Sequence, residues 1–281
     1  MNNKTTFLSL DFIVVIPCFN DKTGLIKSLQ SIRYQNNNFA VLVIDDGSPD
    51  PIIVSDLSSQ LPADTTIEII TLSKNVGITK ALNAGLLWIV QQNGTRINCK
   101  YVARLDCGDL CASDRFDKQV SFLDLHQEID LLGTWCVFED FETGDKFVYS
   151  TPTRHKRIRR AMYFRNIFIH PTVMWRSTIM EKVKAYPEDF PHAEDYGLFY
   201  RWMDADVRTA VLPEKLVTCR ISSKGLSLAN RKQQLRSRMK VVRTYGRNKL
   251  LRILGELKLW TLIALPYSFV FKMKRIFAGV K

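Results

Sequence analysis

Over its first 110 residues the chain alternates apolar runs with segments of helical period, and this alternation constrains the fold more than any other feature. Phe12-Ile13-Val14-Val15-Ile16-Pro17 is continuously apolar, as a strand covered on both faces must be. Leu25, Leu29 and Ile32 then recur at the spacing of one helix face, which predicts a helix from Gly24 to Gln35. Val41-Leu42-Val43-Ile44 reads as a second buried strand, closed by the turn residues Asp45-Asp46-Gly47-Ser48-Pro49. Ile67 to Leu72 is the third strand, Thr79 to Gln92 a second helix through Leu82, Leu86 and Ile89, and Tyr101 to Leu105 the fourth strand. Strands joined through helices pair in parallel, so the predicted fold class is α/β, a doubly wound and mostly parallel sheet.

The second half is less regular. A helix is predicted from Asp114 to His126, and two short strands between Leu131 and Tyr149 around a hairpin-like turn, Glu142-Thr143-Gly144-Asp145. A basic helix from Thr153 to Arg165, a strand from Thr172 to Trp175 and a helix from Glu194 to Met203 follow. Val207 to Ile221 is extended and interrupted at Pro213. Doubly wound sheets bind ligands outside the carboxyl ends of their strands. Here those ends are Pro17-Cys18-Phe19-Asn20, Asp45-Asp46 and Asp106-Cys107-Gly108-Asp109, and a nucleotide fits across them. Carboxylates on strand tips can hold a divalent metal, and a separate acidic pair, Glu194-Asp195, can supply a base.

The six cysteines are scattered without a zinc spacing, which points to reduced thiols in a cytosolic protein. The first ten residues are polar and carry no secretory signal. The net charge of +12 lies wholly in the tail: from Arg231 to Lys281 there are 14 Lys or Arg and one acid, Glu256. Such asymmetry points to an anionic surface. Within Leu250 to Phe277, apolar and basic residues mix. The longest uncharged run, Leu259 to Phe271, is short for a membrane span and contains Pro266. With Trp260 and Tyr267 flanked by Arg252, Lys258, Lys272, Lys274, Arg275 and Lys281, an amphipathic segment lying in a membrane interface is favoured over a helix docked on the body.

Six stretches, in order, are similar to the inverting glycosyltransferases of family 2 that have a single nucleotide-diphospho-sugar transferase (GT-A type) domain. They are Val14 to Asn20, Val43 to Ser48, Asn75 to Gly85, Ala103 to Asp109, Ile169 to Arg176 and Glu194-Asp195-Tyr196, and the resemblance runs from about Phe12 to about Ser227. It implies a transferase domain over residues 1–227 and a basic helical segment over 228–281. It implies that Pro17 and Phe19 flank the base of a nucleotide-sugar, with Asp46, and Asp45 beside it, accepting from base or ribose. A carboxylate suits the N–H of uracil, so a UDP-sugar is expected; a plain turn is the alternative for this pair. Asn75, Lys80 and Arg104 fall with the donor, although Arg104 can equally pair with a neighbouring acid. Asp106 and Asp109 correspond to the acidic metal motif for Mg²⁺ or Mn²⁺, departing from it at Gly108. Asp195 corresponds to the base, and Glu194 orients a neighbour or binds acceptor hydroxyls. His170 is open between metal ligand, acceptor contact and core histidine, with the resemblance favouring the acceptor. Ser222-Ser223-Lys224-Gly225 corresponds to a lid over the diphosphate. The basic run Arg154 to Arg160 reads as a solvated helix face.

The resemblance thus implies transfer of a sugar to a saccharide, expected to be lipid-diphosphate-linked, in bacterial O-antigen or capsule assembly. The expected place is the inner face of the cytoplasmic membrane, without nucleic acid as a partner. The alternatives are a nucleotidyltransferase of similar fold, although no Gly-rich loop follows the first strand, and a nucleic-acid-binding protein using the basic tail.

Overall fold

A computed structural model describes residues 8–62, 65–221 and 230–265. Its strands are β1 (Leu8–Cys18), β2 (Phe39–Asp45), β3 (Thr66–Thr71), β4 (Ile97–Arg104), β5 (Leu110–Cys111), β6 (Leu131–Asp140), β7 (Lys146–Tyr149), β8 (Met174–Arg176) and β9 (Thr209–Ile221). They form one sheet in the order β3-β2-β1-β4-β8-β6-β9-β5, with β7 added on β6. The first four strands are mutually parallel, and β8 joins β4 antiparallel. The chain winds one way from β1 to β3 and returns on the other side to place β4 against β1. That reversal is a topological switch point, where the flanking loops part and leave a crevice.

Burial on both faces explains the continuous apolar runs. Along β1, Ile13 and Val15 face the layer of α3 (Ile78–Gln92), with its Ala81, Leu82, Leu86 and Ile89. Phe12, Val14 and Ile16 face α1 (Lys22–Ser31) and α4 (Arg115–Leu125) through Leu25, Leu29, Phe116 and Leu123. Each strand residue thus meets a helix on one side or the other. Gly85 lets α3 approach closely, since a Cβ there would lie 2.9 Å from Ile44 Cδ1.

The remaining helices are α2 (Val54–Leu57), α5 (His155–Ala161), α6 (Ile179–Lys182), α7 (Glu194–Asp204), α8 (Arg231–Tyr245) and α9 (Lys249–Ala264). The basic helix is shorter than its charge pattern predicts, and the expected strand at Thr172 begins as a 3-10 turn, His170–Thr172, before β8. The expected interruption at Pro213 is a bulge: Thr134 pairs with Leu212 but Trp135 with Lys215, so Pro213 sits where the ladder is already broken.

The start of the tail docks on the body, the alternative weighed against an interfacial segment. Leu235, Met239, Val241 and Val242 of α8 and Leu259 of α9 are buried in the same core as α7. Arg243 pairs with Glu256 at 2.8 Å, and Arg247 with Asp204 at 2.6 Å. Residues 230–265 therefore dock on the body through their apolar face. The opposite face of α9 still exposes Leu250, Ile253, Leu254, Leu257 and Trp260. Among the described residues no helix is long and apolar enough to cross a membrane. The predicted lid, Ser222 to Gly225, and the tail beyond Leu265 lie outside the described residues.

Candidate active site

At the tip of β2, Asp45 and Asp46 do separate work. Asp45 is fully buried, and its carboxylate accepts the backbone N–H groups of Ser48 (3.0 Å) and Ile52 (3.1 Å). It closes a turn, the alternative weighed for this pair. Gly47 makes that turn possible with φ +73°, and a Cβ on it would strike the Lys74 backbone at 2.3 Å. Asp46 accepts from Val76 N–H at 2.8 Å and Gly77 N–H at 3.0 Å. It thereby ties the β2 tip to the loop that carries Asn75. Asn75 and Lys80 are exposed on that edge, and Lys80 lies 4.0 Å from Glu188. At the end of β1, Pro17 is buried beside Ile44 while the Phe19 ring is half exposed at the crevice.

The acidic loop leaves β4 at the other lip of the switch point. Arg104 is completely buried. Its guanidinium donates to the carbonyl oxygens of Val15 and Leu105, to Asp106 Oδ1 and to His170 Nε2. The enclosed side chain pairs with the neighbouring acid, Asp106. Asp106 keeps its carboxylate 41% exposed, with one oxygen on Arg104. Gly108 adopts φ +93° and donates its N–H to Ser28 Oγ at 2.9 Å. The glycine that replaces an acid in the motif thus occupies a backbone conformation unfavourable to any L side chain.

Asp109 is buried, and its carboxylate accepts the Arg220 N–H of β9 at 2.8 Å. Burial, then the charge of Asp106, pushes its pKa well up, and its bond to Arg220 lies beside the β5–β9 pairing. Among the described residues no group of three or more His, Cys, Asp or Glu gathers as an all-protein metal site. A hard cation on a diphosphate needs only one or two carboxylates, the phosphates supplying the rest. Exposed Asp106 suits that arrangement.

The acidic pair opens α7, where the helix dipole favours anions. Asp195 accepts from Asn166 Nδ2 at 2.8 Å and from the Tyr196 N–H at 2.6 Å. Burial raises its pKa, while the positive charge of Arg238 on α8 opposes the rise. Glu194 is pushed up to about 7, chiefly by burial and then by Asp195. Its Oε2 is buried without a hydrogen-bond partner. The charges of Asp106 and Arg104 reach Glu194, and that of Asp106 reaches Asp195, so the fold gathers residues some ninety positions apart into one electrostatic unit. His170 joins them through Arg104, but its Nε2 is already occupied by Arg104 Nε (3.3 Å) and the Tyr186 hydroxyl (2.8 Å), which leaves that nitrogen unavailable to an acceptor.

Asn166, Tyr186 and Arg238 were not singled out from sequence. Asn166 and Tyr186 carry no motif, and Arg238 is hidden among the basic residues of the tail.

The profile of glycosyl transferase family 2 matches residues 13–185. The amylovoran biosynthesis glycosyltransferase AmsE of Erwinia amylovora is 29% identical over 214 residues, covering 75% of this chain and 77% of that protein. The UDP-Gal:alpha-D-GlcNAc-diphosphoundecaprenol beta-1,3-galactosyltransferase of Escherichia coli is 27% identical over 203 residues, covering 70% and 69%. Among solved structures, S. aureus TarS 1-349 in complex with UDP-GlcNAc superposes with a TM-score of 0.62 at 18% identity, covering 89% of this chain and 72% of that one. The mannosyltransferase PcManGT of Pyrobaculum calidifontis, in complex with GDP-Man and Mn²⁺, gives 0.64 at 16% identity, covering 96% and 81%. The structural likenesses carry the GT-A-like fold, a mixed α/β architecture on a curled central sheet. With more than half of its length matched by the family profile, the chain belongs to glycosyl transferase family 2.

Proposed function

We propose that the protein transfers a sugar, with inversion, from a UDP-sugar to a hydroxyl of a lipid-diphosphate-linked saccharide in bacterial surface polysaccharide assembly. The observation that carries this reading is the Asp195 carboxylate: buried, oriented by Asn166, raised in pKa and electrostatically joined to Asp106 across the crevice. A raised pKa makes a carboxylate a stronger base at working pH. Asp195 removes the acceptor hydroxyl's proton as that oxygen attacks C1 of the donor sugar. The C1–oxygen bond to the diphosphate breaks, and UDP leaves with the bonding pair. Attack opposite the leaving group inverts the anomeric centre, by the logic of inverting glycosidases.

On the donor side, Phe19 and Pro17 flank the base, and Asp46 holds the Asn75 loop in place. Lys80 lies on the same edge. Mg²⁺ or Mn²⁺, held by Asp106 and the diphosphate, would neutralise charge on the leaving group. Glu194, with its unpartnered Oε2, accepts from an acceptor hydroxyl. The UDP donor and lipid-linked acceptor draw support from the E. coli relative, whose name states both.

Residues 1–227 form the transferase domain. Residues 230–265 pack on it, and the segment from 228 carries the enzyme to the inner face of the cytoplasmic membrane. The outward row of α9, Leu250, Ile253, Leu254, Leu257 and Trp260, with Lys249, Arg252 and Lys258 nearby, suits an anionic lipid interface. Family membership removes the nucleotidyltransferase alternative, and salt-sensitive nucleic-acid binding without sugar transfer would revive the binding-protein alternative.

The test is turnover of a panel of UDP-sugars with a polyprenyl-diphosphate saccharide, with Mn²⁺ or with chelator. One donor should give a product of inverted configuration by NMR, and only with metal. A retained configuration refutes the mechanism, and turnover indifferent to chelator refutes the role of the metal.

A further inference from the structure

Asn83, Tyr186, His170 and Asp106 form a connected set around the fully buried Arg104, and the proposed chemistry uses only Asp106. Asn83 on α3 clamps the backbone of Tyr186, 103 residues away: its Oδ1 accepts the Tyr186 N–H at 2.7 Å, and its Nδ2 donates to the Tyr186 carbonyl at 3.0 Å. The Tyr186 side chain is buried, and its hydroxyl meets His170 Nε2 at 2.8 Å. That same nitrogen lies 3.3 Å from Arg104 Nε.

A guanidinium offers donors only. His170 Nε2 must therefore present its lone pair to Arg104, which places the ring proton on Nδ1. The Tyr186 hydroxyl then donates to Nε2 as well. Burial and the charge of Arg104 favour the neutral ring. The rest of the guanidinium is fixed by the carbonyls of Val15 on β1 and of Leu105 just past the end of β4, the two strands flanking the switch point. Its Nη2 is the part left to hold Asp106 Oδ1. Asp106 Oδ2 accepts no hydrogen bond among the described residues.

We propose that Asn83, Tyr186 and His170 are positioning residues for donor binding: they fix the rotation of Arg104, which pins one oxygen of Asp106 and leaves the other for the donor diphosphate with its cation. This rests on the proposed function of Asp106. The set joins α3, whose first turn borders the Asn75 loop, to the segment that leads into Glu194 and Asp195. A displaced Arg104 would move Asp106 without touching donor or acceptor.

Two measurements test this. In protein labelled with ¹⁵N-histidine, the His170 ring, assigned by its loss in His170→Gln, should show the Nδ1–H tautomer of a neutral imidazole between pH 6 and 8. An Nε2–H tautomer or an imidazolium overturns the proposal. In calorimetric titration of UDP with Mn²⁺, which requires no turnover, Tyr186→Phe should weaken binding by roughly 5- to 10-fold, the worth of one hydrogen bond. His170→Gln, which restores an acceptor toward Arg104, should bind more tightly than His170→Leu. Melting curves identify variants that have lost the fold, and Tyr186→Phe, which removes one oxygen, is the variant that decides. Equal binding by Tyr186→Phe and wild type overturns the positioning role. Failure of folded wild type to bind UDP at all refutes the proposed function instead.

Discussion

Asp195→Asn separates the chemistry of this site from its architecture. The substitution keeps the side-chain shape and removes the capacity to take a proton. In the native protein Asp195 accepts from Asn166 Nδ2, while the Asn166 Oδ1 is buried without a partner. An introduced amide can therefore be met by a half-turn of the Asn166 side chain, which presents that idle oxygen to the new N–H groups. The other oxygen keeps the Tyr196 N–H. Electrostatics also favour the variant in stability. An acid whose folded pKa is raised adds stability below its unfolded value, about 3.9, and loses it as pH climbs through the folded value. At neutral pH the buried Asp195 carboxylate is thus a cost that the neutral amide lacks. The expected outcome is a melting temperature equal to or above wild type, unchanged UDP binding, and turnover lower by about 10²–10⁴, the usual contribution of a general base. Single-turnover transfer from a labelled donor measures the last, calorimetry the second and thermal melting the first. Turnover within tenfold of wild type would refute the base assignment. A loss carried wholly by donor affinity would refute the separation of donor and acceptor sides.

Other consequences follow from the same geometry. Glu194 is raised to about 7, so its contribution to stability should be lost between its unfolded value of about 4.3 and pH 7, and the fall should shrink in Glu194→Gln; identical pH–melting profiles would contradict its burial. Gly108→Asp restores the motif's acid at φ +93°, so it should destabilise by about 1–2 kcal/mol without tightening Mn²⁺-dependent UDP binding; tighter binding would mean that the loop reshapes to offer the new carboxylate. Leu257→Glu on the outward row of α9 should abolish flotation with anionic vesicles while leaving the melting temperature unchanged, and undiminished flotation would count against that face. Truncation at Leu250 is a poorer test, because it also removes buried Leu259 and the Glu256 partner of Arg243.

The parallel half of the fold is legible in the sequence for a simple reason. A strand covered on both faces must be apolar throughout, and the helices between strands must repeat at 3.6 residues, so Phe12 to Leu105 admits few arrangements. The acids at strand ends are legible too, since ligands meet such sheets there. The second half is less so: β6, β8 and β9 pair across more than thirty residues, and β9 is distorted at Pro213 by contacts far away in sequence.

Residue type placed oxygen and charge near the crevice, but partners decided their use. Asp45, Asp46 and Asp109 are all acids next to strands, and each is taken up by backbone N–H groups that only the folded loops bring near. Arg104 reads as a phosphate ligand until the chain closes over it. The charge of the tail was plain in composition, whereas the docking of α8 and α9 depends on which apolar residues find the core. The sequence by itself determined the sheet, its switch point and the acids that border it, because local period and strand-end chemistry suffice for those. Which acid stays open, which is buried as support and which is oriented by Asn166 came only from the assembled chain, because burial and hydrogen-bond partners are properties of the neighbours and not of the residue.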